Sequence, residues 1–396
     1  MPDMEFDKLA KALQPHYSHF NVANRLLFTG HSHQAWPDVA FDGVREYMQM
    51  VADKVDTKWG PAFEKTEILR NYLRKYYDDP NGKYCREQNT HVLMVSWLSS
   101  LDLKKKPKII TTTGEFHSMH RQLSRYKELG MQVIFLPHEN DDELLRRIEE
   151  EVDDQTSAIM LSRIYFETAE VNTKLSEIAK VARENQIPVL IDDYHGTNVV
   201  PLSISESGLE HCYVLIGGYK YLQWGEANCF LRFPSDCDLK PGVTGWFASF
   251  DTLDEPRDDK PVSFDEGDQK FATGTYDPVS QFRAAAVTHF FERMGLDSPT
   301  LRKQYSDQVQ YLRKIFDENI FDPDTIKHAN NRPIEETGGF LALRSPYARK
   351  LRQILLDNEV FTDARGEIIR FGPAPYTTSE QCLSAIDHLE KAVKSL

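Results

Sequence analysis

From about residue 108 the chain alternates short apolar runs with amphipathic stretches, and this alternation constrains the fold more than any other feature. KIITT (108–112), QVIFL (132–136), AIMLSRI (158–164), IPVLID (187–192) and YVLIGG (213–218) have the length and composition of buried strands. Between them, 117–129, DELLRRIEEEV (142–152) and 174–186 carry helical patterning. Leu175, Ile178, Ala179 and Ala182 share one face, and Gly130 stops the first helix. The alternation predicts an α/β fold, a mostly parallel sheet covered by helices on both faces. Ligands on such sheets bind beyond the carboxyl ends of the strands, so chemistry is sought there.

The stretch 249–269 breaks the pattern; it is acidic and turn-rich and predicts a long surface loop. After it come helical stretches at 278–294 and 299–318, then GGFLALRS (338–345), a helix near 346–358, EIIRFGP (367–373) and a last helix at 378–395. That pattern predicts a small C-terminal α+β domain. The expected division is an N-terminal arm or helix (1–24), a large domain (25–295) and a small one (296–396), and 396 residues suffice for both cores.

A net charge of −14 argues against broad nucleic-acid or anionic-membrane binding and leaves a small molecule as the expected partner. No apolar run of about 18 residues occurs, and the first residues lack a secretory h-region. The five cysteines, Cys85, Cys212, Cys229, Cys237 and Cys382, are odd in number and form no CxxC. A disulfide scaffold or zinc ribbon is therefore disfavoured, and a reduced, cytoplasmic protein is expected.

Two strand ends carry the densest chemistry. Ile191-Asp192-Asp193-Tyr194-His195-Gly196 closes one apolar run, where Asp192 points into the crevice or, in the blander reading, caps a helix. IGGYKYLQWG (216–225) closes the next, with Lys220 between Tyr219 and Tyr221. A lysine hemmed in by aromatics loses solvation and favours the neutral amine, which condenses with carbonyls; a lone lysine is otherwise a snorkelling surface residue. Asp192 lies 28 residues before Lys220, at the end of the preceding strand. An amine and a carboxylate so placed suit pyridoxal 5'-phosphate, whose aldehyde needs the lysine and whose ring nitrogen needs the acid.

The D-x-x-H, Y-K-Y-L, G-W-F and R-F-G-P-A-P motifs, in that order, resemble kynureninase and the wider class V aminotransferase group of fold-type I PLP-dependent enzymes. The likeness runs from about residue 25 to 380 and includes LLFTGHS (26–32), the helix NTHVLMVSWL (89–98) and FHSMHR (116–121). It implies the PLP-dependent transferase fold, a homodimer with the site at the subunit junction, an amino-acid substrate and hydrolytic Cβ–Cγ cleavage. Transamination and carbon–sulfur cleavage are the alternatives.

The resemblance also assigns roles. Lys220 would hold the cofactor, Asp192 the pyridinium and His195 the 3-oxygen, while Phe116 would stack on the ring. Tyr219 would touch the phosphate and act as acid or base, and Gln88 and Asn89 would contact the phosphate at a helix start. Trp246 and the Thr273-Gly274-Thr275 turn would arrive from the neighbouring subunit. Arg370 would clamp the substrate carboxylate, with Arg365 as a rival, and His31, Ser32 and Asp277 would lie near the substrate.

This chain departs from the family in places. Q-W-G-E-A-N follows Y-K-Y-L in place of glycines, and Met119 replaces the Asp of the F-x-S-D segment. Glu87 or Gln88 replaces the phosphate-loop threonine, and Asp277 stands where kynureninases have an Asn facing the substrate ring. A rival reading is a metal-dependent amidohydrolase, with His31 and His33 sharing a metal and Lys220 and Asp277 completing the set. His117 and His120 are a further helical pair, expected to be solvated.

Overall fold

The computed structural model describes residues 4–252 and 261–396. Its centre is a seven-stranded sheet. Across the sheet the order is Lys83–Glu87, Cys229–Phe233, Tyr213–Gly217, Val189–Asp192, Thr156–Ser162, Lys108–Thr112 and Gln132–Leu136. The five strands expected from sequence form the parallel part, each within about two residues of its expected start or end. The other two strands are added at one edge through antiparallel pairings, so that Cys229–Phe233 runs against the rest. Tyr213–Gly217 and Thr156–Ser162 are buried along their whole length, which explains the continuous apolar run of the first and the apolar centre, Ala158–Leu161, of the second.

Helices cover both faces, including two long ones, Val39–Lys54 and Trp59–Tyr76, that the apolar pattern does not announce. They pack against Val279–Met294 through residues such as Tyr47, Ala62 and Phe282. Gly43 allows that contact, because a Cβ there would lie 2.5 Å from the Phe282 carbonyl. The expected loop at 249–269 begins in the short 3₁₀ segment Trp246–Thr252, and residues 253–260 lie outside the described residues. Its far end is anchored rather than free: Asp268 accepts from Arg74 Nη2 at 2.9 Å and from the Tyr84 amide at 2.6 Å.

Toward the C-terminus a four-stranded antiparallel sheet runs Asp363–Arg365, Ile368–Phe371, Leu341–Arg344, Lys327–His328. Helices Ser298–Asp317, Ala348–Asp357 and Ser379–Lys394 pack on it. The last begins in a capping box between Thr378 and Gln381, which satisfies amides that would otherwise be orphaned. Leu26–Leu27 runs parallel to Val360–Phe361, and Thr29 bridges to Gly372. This pairing lays residues 28–31 beside the Ile368–Phe371 strand and brings both units to the carboxyl edge of the large sheet.

One buried ion pair braces that edge. Asp193, fully buried, binds the buried Arg163 and accepts from the Tyr77 hydroxyl at 2.7 Å. Gly196 makes room, since a Cβ there would lie 2.0 Å from Asp193 Oδ1. Asp193→Ala strands the Arg163 charge and is expected to cost about 3–5 kcal/mol, measured by denaturant unfolding.

Candidate active site

Asp192 ends the strand Val189–Asp192, and Lys220 lies three residues beyond the end of Tyr213–Gly217, which pairs beside it. The sequence places the two groups on neighbouring strands, and the sheet brings both into one pocket of about 300 Å³. Of the expected site residues, Gln88, Asn89, Phe116, Asp192, His195, Tyr219 and Lys220 all line it.

Lys220 is 3% exposed. Burial pushes its pKa down to about 7, the nearby Asp192 carboxylate opposes that shift, and the Arg370 charge adds to it. Its Nζ lies 2.7 Å from His195 Nε2 and 4.6 Å from the centre of the Tyr194 ring. His195 is held neutral by burial and by the Lys220 charge, and its ring also engages the His31 backbone. Nε2 therefore carries the lone pair that accepts from lysine. Tyr194 can lie flat against Gly217 only because glycine stands there; a Cβ would lie 1.7 Å from the ring.

Asp192 accepts from the Tyr194 amide at 2.9 Å. Burial raises its pKa to about 6, against the Tyr194 hydrogen bond and the Lys220 charge. A cation placed beside it would restore the ionised form. Phe116 stands at the start of helix His117–Glu128 with its ring centre 5.2 Å from Lys220 Nζ. Burial raises the Tyr219 pKa, and its ring lies 5.1 Å from that of Tyr194.

The opposite wall is the start of helix Thr90–Leu98. Asn89 caps it by accepting from the Val92 amide at 2.9 Å. The remaining first-turn amides make this end receptive to an anion. Thr90 also lines the pocket. Its hydroxyl stands two to three residues beyond Glu87 and Gln88, the positions at which the phosphate-loop threonine is expected to be replaced. Glu87 instead accepts from the Thr273 amide and hydroxyl, each at 2.7 Å, and pins that turn. Met119, Tyr194, Glu226 and Cys229 line the pocket as well.

The other expected residues stand apart from this lining. Trp246 Nε1 donates to Thr275 Oγ1 at 3.0 Å, so these two form a unit of their own. Asp277 accepts from the Val279 amide at 3.0 Å at the start of a helix. Ser32 donates to the Thr29 carbonyl within a turn. Arg370, 3% exposed, binds Asp363 at 2.8 Å and the Phe166 carbonyl at 2.6 Å, whereas Arg365 is substantially exposed. His31 is fully buried near Arg370.

The metal alternative is not assembled. His31 is sealed in the interior, while His33 is exposed and stacks on Tyr219 at 4.8 Å. Asp277 is engaged at its own helix, and among the described residues no three His, Cys, Asp or Glu side chains group to hold a metal.

A poorly solvated amine, a buried acid, an aromatic face and an anion-receptive helix end thus line one pocket. These residues fit pyridoxal phosphate on the observed chemistry of the donor set.

Comparison with known proteins bears on the same point. Residues 301–389 match the family model of the kynureninase C-terminal domain. An uncharacterized aminotransferase of Bacillus subtilis is 22% identical over 342 residues, covering 84% of this chain and 85% of its own. The cystine C–S lyase C-DES in complex with cysteine persulfide superposes with a TM-score of 0.78 at 17% identity, over 94% of this chain and 98% of that one. A C-DES mutant with glycine covalently linked to the PLP cofactor gives 0.79 at 17% identity, over 96% and 98%. The cysteine desulfurase CsdA of Escherichia coli gives 0.78 at 13% identity, over 98% and 99%. At these identities the structural likeness speaks for the fold, and the sequence matches speak for the group. The chain has the fold-type I architecture of PLP-dependent enzymes and resembles the class V aminotransferases in sequence.

Proposed function

We propose that the chain is a PLP-dependent enzyme acting on an amino acid, and that its reaction is kynureninase-like hydrolysis of a Cβ–Cγ bond. The observation that carries the cofactor assignment is Lys220, buried and easily deprotonated, in one pocket with Asp192 and a helix start. The match of residues 301–389 to the kynureninase C-terminal domain supports the finer reading.

In this reading Lys220 holds the cofactor and Phe116 covers its ring. Gln88, Asn89 and Thr90 hold the phosphate at the helix start. The group supplies, when bound, an aldehyde that captures the substrate amine and a ring that accepts electrons released at Cα. Asp192 keeps the ring nitrogen protonated. Lys220 takes the Cα proton as a neutral amine, and His195 accepts its hydrogen bond and fixes its direction. Tyr219 is the proposed proton relay to the departing carbon, and Arg370 the seat of the substrate carboxylate. We place the functional unit as a cytoplasmic homodimer in which Trp246 and Thr275 serve the neighbouring site. Its division is proposed as an arm (1–24), a large domain (25–295) and a small one (296–396).

A second reading, amino-group transfer or carbon–sulfur cleavage, is favoured by the aminotransferase relative and by the likeness to C-DES. A cysteine desulfurase using a persulfide thiol fits less well, because all five cysteines are buried. Cys229 alone lines the pocket, and its thiol pKa is raised by burial. The discriminating experiment supplies the protein with kynurenine, with an amino acid plus a 2-oxo acid, and with cystine. Alanine release from kynurenine is expected. Amino transfer or sulfur release in its absence would reassign the reaction.

A further inference from the structure

Unpartnered polar atoms gather around Arg370. The buried ring of His31 has no hydrogen-bond partner at either nitrogen, and neither has the Tyr221 hydroxyl or Arg370 Nε. Folded proteins pair more than nine-tenths of such groups, so a cluster of exceptions marks a place where a ligand completes the network. Arg370 approaches the Phe166 and Phe340 rings at 5.9 and 5.8 Å, and Lys220 and His195 are close enough to be coupled to it electrostatically.

Arg370 is nevertheless occupied. Asp363 stands directly opposite it on the neighbouring strand, Asp363–Arg365, which is the edge of its sheet. Its Oδ2 lies 2.8 Å from Arg370 Nη2, while Phe166 O takes Nη1. Asp363 Oδ1 lies 3.2 Å from Arg365 Nη1, and Arg365 is 44% exposed at the rim. The contact to Arg370 runs through one nitrogen, short of a two-pronged fork. Two guanidinium groups thus share one carboxylate, which leaves one positive charge for an incoming anion. Asp363 also has a second arginine to fall back on.

We propose that Asp363 is the resident counter-ion of the substrate-carboxylate seat, displaced toward Arg365 when a substrate carboxylate binds Arg370, and that it thereby sets the affinity for carboxylate-bearing substrates. The inference rests on the reading of Arg370 given above. It makes Asp363 and Arg365 specificity determinants although neither lines the pocket. Ligands without a carboxylate gain nothing from the exchange.

The test is calorimetric titration of propionate, with propylamine as control, into wild type, Asp363→Asn and Arg365→Gln, each saturated with pyridoxal phosphate. Asp363→Asn is expected to bind propionate about tenfold more tightly, since nothing must be displaced. Arg365→Gln is expected to bind it about threefold more weakly, the scale of an exposed pair, because the displaced Asp363 loses its second partner. Propylamine should show neither change. Unchanged or weaker propionate binding in Asp363→Asn overturns the exchange and makes Asp363 a residue that merely positions Arg370. Unchanged binding in Arg365→Gln overturns the role of the second arginine. Absorption at 300–500 nm reports cofactor uptake separately. Protein that takes up none contradicts the proposed function, and the propionate comparison, then made on the cofactor-free proteins, still judges the exchange.

Discussion

Lys220→Ala is expected to abolish covalent retention of pyridoxal phosphate and to lower turnover by about 10²–10⁴-fold, the scale of losing a positioned proton-transfer group. The loss should exceed that of any neighbouring substitution, because in the proposed function the one side chain both tethers the cofactor and moves the Cα proton. Its pH behaviour follows from its surroundings. A surface lysine stays protonated to about pH 10.4. Burial brings the Lys220 pKa to about 7, so its neutral fraction rises through that pH and disappears below it. Capture of added pyridoxal phosphate by the cofactor-free protein should therefore accelerate with a midpoint near pH 7. A midpoint near 10 would mean that the amine is solvated and that the site is assigned wrongly.

Asp192→Ala is the second large effect. In the proposed function Asp192 would keep the cofactor's ring nitrogen protonated, and without that carboxylate the ring would accept electrons poorly. Turnover is expected to fall at least about 10²-fold while Lys220 still binds the cofactor. Asp192→Glu should restore part of it. Stopped turnover with intact colour is the expected signature. Loss of colour and of fold together would indicate instead that Asp192 holds the strand end in place through the Tyr194 amide.

How far such roles are visible in the chain depends on where their partners lie. Asp192, His195 and Lys220 sit in short motifs directly after apolar runs, and the parallel sheet aligns those ends, so their convergence follows from local pattern alone. Lys83–Glu87 is different. Three of its five residues are charged, yet Arg86 and Glu87 are buried. Arg86 donates to Ala227 O and Ser280, and Glu87 accepts from Thr273, all distant in sequence. The strand therefore resembles a surface stretch until those partners are known.

The place of Thr90 in the pocket lining is hard to read from sequence for a related reason. An anion site at a helix start is made largely of backbone amides, and residue type signals them weakly. The cap at Asn89 was the available clue. Arg370 was legible as a candidate from EIIRFGP, but its Asp363 partner depends on strand register, which the motif does not carry. Asp277 is the converse case: a carboxylate in a suggestive motif also accepts the second amide after it at a helix start, an ordinary use of Asp that the motif by itself does not reveal.

The central claim is that Lys220 holds pyridoxal phosphate, and the most direct measurement is the absorption spectrum of the purified protein between 300 and 500 nm before and after borohydride. The account predicts a visible band that borohydride removes, with the label recovered by mass spectrometry on the peptide carrying Lys220. A protein that stays colourless after pyridoxal phosphate is added, or a label fixed on another lysine, would contradict it.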